Sequence, residues 1–133
     1  MKPRYSDIFI FILALTADRL TKSRALSGSL GSLYLNHGIS FSLLERHASV
    51  SLFFTLAGLG ILGYACVKSA TVRRAPGIIW LFSGAAGNLI DRLVYGYVID
   101  WIHIGIFFNL ADLWLCIGGV RLLGYSLSAP SEK

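Results

Sequence analysis

Apolar residues occur along this chain in long runs, and short polar segments separate the runs. Residues 47–67, HASVSLFFTLAGLGILGYACV, contain no Asp, Glu, Lys or Arg. A helix needs about 20 such residues to cross roughly 30 Å of hydrocarbon, so this run predicts a membrane span. Residues 75–94 predict a second span with charges only in its last turn, and residues 105–127 predict a third that Asp112 and Arg121 interrupt.

The N-terminal apolar run is shorter, since only residues 8–17 are free of charged side chains. This length also suits the core of a cleaved signal peptide, with Lys2 and Arg4 in front of it. No small-x-small cleavage pattern follows, however, and extension over residues 5–22 gives a full crossing. We therefore predict an all-α membrane protein with four transmembrane helices, at residues 5–22, 47–67, 75–94 and 105–127.

The composition agrees with a single membrane domain over residues 1–133. The chain is 55% hydrophobic and 14% charged, whereas soluble domains are roughly 25% charged. Its net charge of +5 comes from scattered residues, not from the basic stripe that binds nucleic acid, so we predict no nucleic-acid partner. The three histidines lack the spacing of metal ligands, and nothing in the sequence predicts a cofactor.

Two segments between the spans have other patterns. Residues 25–44 alternate Gly and Ser with apolar residues, which predicts short strands and turns lying on the membrane. The segment 93–104 contains Tyr95, Tyr97 and Trp101, aromatic residues typical of the headgroup level, so it predicts an interfacial loop.

The basic residues orient the spans. The loop 68–74 carries Lys68, Arg73 and Arg74, whereas the loop 93–104 has no lysine or arginine. The positive-inside rule places the first loop, and with it both termini, in the cytoplasm. The polar residues that then lie at or just below the outer face are Asp18, Asn36, Glu45, Asn88, Asp91, Asp100, Asn109 and Asp112.

A stripe of small and polar residues follows the third predicted helix. Gly84, Asn88 and Asp91 are spaced i, i+4, i+7 and share one face. Gly84 favours close helix packing, while Asn88 and Asp91 point toward the interior of the bundle. Arg92 has two alternatives: an ion pair with Asp91 or Asp18, or contact with a substrate carbonyl or a phospholipid.

Asp100 and Asp112 occur in almost wholly apolar surroundings with no lysine or arginine between them. Like charges that meet in a low-dielectric site raise one pKa, so the pair shares a proton. One carboxylate can then activate a water toward a peptide carbonyl, while the protonated partner binds the carbonyl oxygen and later protonates the leaving amine. His103 is a weaker candidate base, because a lone histidine in an apolar loop is more often structural.

Two other functions fit some of these features. Asp91, Asp100 and Asp112 could relay protons or cations, but the inner halves of the spans carry no acidic residue until Asp7, so the relay would end halfway. A non-enzymatic assembly subunit could use the polar stripe to bind a partner helix.

The chain resembles the lipoprotein signal peptidases (signal peptidase II) in five ordered blocks. The blocks are DRLTK (18–22), NHGISF (36–41), GAAGNLIDR (84–92), VIDW (98–101) and FNLAD (108–112). The resemblance implies a catalytic dyad of Asp100 and Asp112. It also implies substrate-binding roles for Asn36, Asn88, Arg92 and Asn109, and supporting roles for Asp18, Lys22 and Asp91.

The implied activity is cleavage of diacylglyceryl-modified prolipoproteins immediately before the lipidated cysteine. The family works at the outer leaflet of a bacterial cytoplasmic membrane, and globomycin inhibits it. We expect lipid-modified prolipoproteins and membrane phospholipid as partners of a monomer. The sequence departs from the family at Arg19, where glutamine is common, and at residues 39–40, where small residues are usual.

Overall fold

The computed structural model describes residues 5–38 and 48–128. The protein is mostly helical, with two small antiparallel strand pairs. Its elements in chain order are α1 (Tyr5–Leu26), β1 (Tyr34–Asn36), α2 (Ala48–Lys68), α3 (Ala70–Arg74), α4 (Ile78–Tyr95), β2 (Val98–Asp100), β3 (Ile102–His103), β4 (Phe107–Phe108) and α5 (Leu110–Ser128). Glu45, His47 and the predicted strand region over residues 39–44 lie outside the described residues.

The predicted boundaries of α4 were wrong at its start. Residues 68–74, predicted as a loop, contain the short helix α3, and the Ser69 hydroxyl caps it by accepting the N–H of Val72 at 3.2 Å. Residues 75–77, predicted as part of the span, form the turn between α3 and α4. Pro76 has no N–H to donate and disfavours helical backbone in the residue before it, so it separates the two helices.

The predicted start of α5 at residue 105 was also wrong. Gly105 has a positive φ of 85° and turns the chain between β3 and β4, where Ile102 pairs with Phe108. The helix begins only at Leu110. Asp112 therefore lies in the first turn of α5, not about 10 Å along a helix that starts at residue 105.

The strand predicted before the second span is present as β1. It pairs with β2, with Tyr34 opposite Asp100 and Asn36 opposite Val98. The segment 93–104, predicted as an interfacial loop, supplies this partner strand. α4 ends before this strand at Tyr95. Gly96 follows with a left-handed backbone at φ 79°, and its N–H bonds the carbonyl oxygen of Arg92.

Among the described residues, two helices are long and apolar enough to cross a membrane: Ser49–Lys68 in α2 and Leu110–Ser128 in α5. α4 packs against α1, α2 and α5. Buried side chains in this bundle are mostly small or polar, while large apolar side chains are exposed, among them Phe9, Ile12, Phe53, Ile61, Leu93, Val120 and Leu127. An apolar exterior around a polar interior suits a surface that faces lipid.

Glycine allows α4 and α5 to approach closely. A Cβ atom added to Gly84 would overlap the carbonyl oxygen of Ala111 and lie 2.8 Å from Cγ of Leu115. A Cβ on Gly118 would lie 2.7 Å from the backbone nitrogen of Leu81. The packing role that the sequence predicts for Gly84 agrees with this geometry.

Candidate active site

The buried polar side chains gather where the C-terminal halves of α1 and α4 meet β1, β2 and the N-terminus of α5. Each of these side chains belongs to a residue that exposes 6% or less of its surface: Asp18, Lys22, Asn36, Asn88, Asp91, Asp100 and Asn109. Asp112 and Arg92 are half-buried at the edge of the same cluster. The structure thus brings the candidate polar residues of the sequence into one place.

Asp100 ends the buried strand β2 and exposes 1% of its surface. Its Oδ1 accepts a 2.6 Å hydrogen bond from Nδ2 of Asn109, and its Oδ2 accepts a 3.0 Å bond from Nδ2 of Asn36. The pairing of β1 with β2 brings Asn36 to this position. Both carboxylate oxygens therefore have partners inside the protein.

Asp112 forms hydrogen bonds with Asn109, the residue directly before its own helix α5. The N–H of Asp112 bonds Oδ1 of Asn109 at 3.1 Å, and the N–H of Asn109 bonds Oδ2 of Asp112 at 3.2 Å. This reciprocal arrangement is a capping box, which satisfies two N–H groups at a helix start. Oδ1 of Asp112 accepts a further bond of 2.9 Å from Nδ2 of Asn88.

The three asparagines of the site are oriented in the same way. In each, Oδ1 accepts a hydrogen bond from a fixed donor, and Nδ2 therefore faces a carboxylate. The donors are the N–H of Gly38 for Asn36, the ammonium of Lys22 for Asn88 and the N–H of Asp112 for Asn109. The resemblance implies substrate contacts for these asparagines, and in this structure their amides hold Asp100 and Asp112.

Asn109 forms hydrogen bonds with both aspartates. It donates to Asp100 and exchanges two hydrogen bonds with Asp112. β2 and α5, which the β3–β4 hairpin separates along the chain, thus each bring one carboxylate within hydrogen-bond distance of Asn109. The sequence could suggest the capping box, but not that the same amide reaches across to β2.

Burial raises the pKa of Asp100 from an ordinary 3.8 to about 6, because the folded protein removes water from the carboxylate. The hydrogen bond from Asn36 lowers the pKa, the negative charge of Asp112 raises it, and the hydrogen bond from Asn109 and the charge of Lys22 lower it. The balance leaves Asp100 able to carry a proton near neutral pH, which a shared-proton dyad requires.

Four charged side chains next to the aspartate pair form an ion cluster, which consists of Asp18, Arg19, Lys22 and Asp91. Lys22, 1% exposed, lies 3.1 Å from Oδ2 of Asp18 and 2.7 Å from Oδ2 of Asp91. Arg19 lies 2.7 Å from Oδ2 of Asp18 and 2.6 Å from Oδ1 of Asp91. The sequence predicted supporting roles for the other three but missed Arg19. The sequence contains one indication of a special role for Arg19, which is that the family resemblance leads one to expect glutamine there. The residues around Arg19 in the sequence do not indicate a contact with Asp91.

Arg92 does not take the ion pairs that the sequence allowed. Its guanidinium donates to the Ser51 hydroxyl at 3.3 Å and to the carbonyl oxygens of Asn88 and Gly38, each at 3.2 Å. Within residues 5–38 and 48–128, no carboxylate lies at ion-pair distance from Arg92. Sequence reasoning missed Ser51, a buried residue of α2 that holds this arginine.

Two apolar grooves border the cluster. The first, of about 300 Å³, lies between α2, α4 and α5 and has polar side chains at one end; its lining is Phe54, Thr55, Gly58, Leu59, Leu62, Leu81, Ala85, Asn88, Arg92 and Leu115. The second, of about 270 Å³, lies beside the β3–β4 hairpin and is lined by Ile104, Ile106, Phe107, Phe108, Asp112, Leu113, Leu115 and Cys116. Leu115 lines both, so a pair of apolar surfaces flanks the N-terminal part of α5.

The two described histidines are exposed, whereas Asp100 is buried. His103 is exposed in β3, and its ring stacks on Phe107 at 4.3 Å between centroids. His37 is exposed and contacts the edge or face of Tyr97. These positions favour the structural interpretation of His103.

Comparisons with known proteins agree with the geometry. The family model described as signal peptidase (SPase) II matches residues 10–128. A lipoprotein signal peptidase of Caldicellulosiruptor bescii is 35% identical over 87% of this chain and 86% of its own. One from Staphylococcus carnosus is 33% identical over 92% of this chain and 91% of its own.

The fold is also similar to that of a solved protein. A bacterial membrane enzyme, determined by the in meso method at 2.3 Å resolution, superposes with a TM-score of 0.79 and 27% identity, covering 96% of this chain and 93% of that one. The resemblance indicated by the five sequence blocks is confirmed. This chain belongs to the signal peptidase II family and is a peptidase of bacterial membranes that acts in lipoprotein processing.

Proposed function

We propose that this protein is an intramembrane aspartic endopeptidase that removes the signal peptide from diacylglyceryl-modified prolipoproteins. The cut falls immediately before the lipidated cysteine. The observation that carries the proposal is that one residue beside an apolar groove, Asn109, holds both carboxylates: its side-chain Nδ2 donates to Asp100 and its backbone N–H donates to Asp112. Two carboxylates held in this way can divide acid and base work between them.

Asp112 is the general base. It is the more exposed of the two aspartates and lines a groove, so a water and a substrate can reach it. It also lies in the first turn of α5, where the helix dipole stabilises a negative charge. Asp100, buried and with its pKa raised to about 6, is the protonated partner.

The reaction follows from these roles. Asp112 takes a proton from water while the water oxygen bonds the scissile carbonyl carbon, and the proton on Asp100 hydrogen-bonds the developing oxyanion. When the tetrahedral intermediate collapses, the C–N bond breaks and the Asp100 proton passes to the leaving nitrogen. The products are a carboxylic acid and an amine. The dyad again holds one proton, now on Asp112, which returns to Asp100 before the next cycle.

The grooves and Arg92 suit a lipid-modified substrate. Apolar grooves on both sides of the α5 N-terminus can accept a signal-peptide helix and acyl chains. Arg92 has no carboxylate partner among the described residues, so its charge can bind a substrate carbonyl or a phospholipid headgroup. Asn36, Asn88 and Asn109 contact the scissile peptide while they orient the dyad.

We propose that α1 and α4 cross the membrane together with α2 and α5. Their 22 and 18 residues correspond to about 33 and 27 Å, close to the thickness of the hydrocarbon. Their charged residues Asp18, Lys22 and Asp91 are buried against protein and avoid lipid. The basic residues around α3 then mark the cytoplasmic side, which also holds both termini, and the dyad lies at the outer face of the cytoplasmic membrane. The chain acts as one monomeric domain, and globomycin inhibits it.

The test uses purified protein in detergent and a prolipoprotein with and without its diacylglyceryl group. Cleavage of the lipidated form immediately before the modified cysteine is the expected result. Asp100→Asn and Asp112→Asn keep the side-chain shape but remove the charge, and each lowers kcat by about a hundredfold or more. Asp7→Asn, at the other end of α1, is the matched control and keeps the parental rate.

Two results contradict the proposal. One is a folded parent protein that leaves the lipidated precursor intact. The other is parental turnover by either dyad variant at an unchanged thermal unfolding midpoint.

A further inference from the structure

The four charged residues behind the dyad form a closed ring in which each carboxylate contacts both cations. Asp18 and Asp91 are completely buried, while the side chain of Arg19 keeps 27% of its surface exposed. Two negative and two positive charges make the ring neutral, so the two carboxylates can be buried without net charge.

The ring is attached to the backbone beside each aspartate of the dyad. Oδ1 of Asp18 accepts the N–H of Ala111 at 3.0 Å, and Ala111 directly precedes Asp112. Oδ2 of Asp91 accepts the N–H of Ile99 at 3.2 Å, and Ile99 directly precedes Asp100. The separation of the two ring carboxylates therefore sets the separation of the two peptide segments that carry the dyad.

The two cations of the ring hold these carboxylates differently. Lys22 places one ammonium nitrogen between them. Arg19 spans them with two different nitrogens, Nη1 on Asp91 and Nη2 on Asp18, and Nη2 also donates to the carbonyl oxygen of Gly87 at 3.1 Å. A planar guanidinium fixes two carboxylates at a set distance, which a point charge does less well.

We infer that Arg19 is a positioning residue for the peptidase reaction, which sets the spacing of Asp100 and Asp112 through Asp18 and Asp91. The inference rests on the proposed function of the dyad. Glutamine has one amide group and no charge, so it cannot replace either contact fully. Arg19 lines neither apolar groove, and its loss therefore acts on turnover and not on substrate binding.

The test compares Arg19→Gln, Arg19→Lys and Arg24→Gln by steady-state kinetics on a lipidated prolipoprotein, with thermal unfolding in detergent as a second readout. Arg24 lies on the same helix and is exposed, and Arg24→Gln makes the same change of charge away from the ring.

Because a small misplacement of reacting groups lowers turnover strongly, Arg19→Gln lowers kcat by about tenfold or more. KM stays within about twofold, since groove contacts are intact. Arg19→Lys, which keeps the charge but not the fork, lowers kcat by about threefold, and Arg24→Gln leaves both constants unchanged.

Each outcome decides the inference. Parental kcat in folded Arg19→Gln overturns it, as does a rise in KM that accounts for the whole loss. If Arg19→Gln does not fold, Arg19→Lys decides: a lower kcat at constant KM supports the inference, and parental kcat overturns it. A parent that cleaves with its dyad variants inactive, while Arg19→Gln stays fully active, refutes the role of Arg19 and leaves the proposed function standing.

Discussion

The two ends of the α4–α5 pair are held together in different ways. At the site end, Asn88 of α4 donates to Asp112 of α5, and the ion cluster reaches α5 through Asp18. At the other end, Gly77 faces Gly118 so closely that a Cβ on Gly77 would overlap the carbonyl oxygen of Gly118. Directional polar contacts cross between the helices at the first end, which we call the site end. Close backbone packing joins them at the second end, which we call the glycine end.

The difference separates catalysis from packing within one helix pair. Hydrogen bonds and ion pairs hold side chains at defined distances, which a catalytic dyad needs. Glycine contacts bring backbones together without defining where any functional group lies. Changes at the site end should therefore alter turnover first, whereas changes at the glycine end should alter the free energy of unfolding and spare turnover.

The largest effect is expected from Lys22→Met. Lys22 contacts both ring carboxylates and orients Asn88, and its removal leaves two buried carboxylates with one cation. Breaking a buried ion pair by removing one partner costs about 3–5 kcal/mol. We expect the thermal unfolding midpoint to fall and cleavage to be abolished. Lys68→Met, at an exposed position of α2, serves as control and should change neither.

A parental unfolding midpoint in Lys22→Met would show that charge does not hold the site end together. That result would contradict the proposed difference between the site end and the glycine end of the helix pair.

A smaller effect is expected at the glycine end, from two adjacent substitutions in α5. Gly118→Ala brings a Cβ to 2.7 Å from the backbone nitrogen of Leu81, so overpacking should destabilise the fold by about 1–3 kcal/mol. Gly119→Ala meets no atom within 4 Å and should stabilise the helix by roughly 0.5–1 kcal/mol. Thermal unfolding in detergent measures both.

At temperatures where both alanine variants are folded, kcat should match that of the parent protein. A tenfold loss of kcat in folded Gly118→Ala would mean that the glycine end also positions the dyad.

The sequence predicted much of this architecture because membrane spans are long and apolar. It predicted the helices of α2 and α5 to within a few residues at most boundaries, and it predicted strands in the segment that contains β1. The β3–β4 hairpin was not predicted. Its apolar residues continue into those of α5, and hydropathy alone does not distinguish an interfacial strand from a helix start. The positive φ of Gly105 turns the chain between β3 and β4 and so delays the start of α5, and the composition of the segment does not reveal it.

The site was predictable as a set of residues but not as a network. Residue type and the cost of burying charge in lipid pointed to Asp100 and Asp112. The common orientation of the three asparagines depends on donors from distant segments, such as Lys22 for Asn88. Arg19 was missed because its partner Asp91 is remote in sequence and comes near only when α1 packs on α4.

The last prediction concerns pH, which should act on the site end alone. Asp100 has a pKa of about 6 in the folded protein, mainly because it is buried, against roughly 3.9 when unfolded. The folded state therefore binds more protons between these values, so the free energy of unfolding falls as pH rises from about 4 to about 6 and then levels off. Loss of the Asp100 proton also removes the general acid, and kcat/KM should fall by about tenfold between pH 7 and pH 8.

The charged groups that set this profile are Asp112 and Lys22, with the amides of Asn36 and Asn109. Because Asp112 is coupled to Asp100, the apparent pKa belongs to the pair. Gly118→Ala should lower stability equally at every pH and keep the parental kcat/KM profile, since no titrating group changes at its end. A flat profile from pH 7 to pH 8, or a profile that moves in Gly118→Ala, would show that protonation at the dyad and packing at the glycine end are not independent.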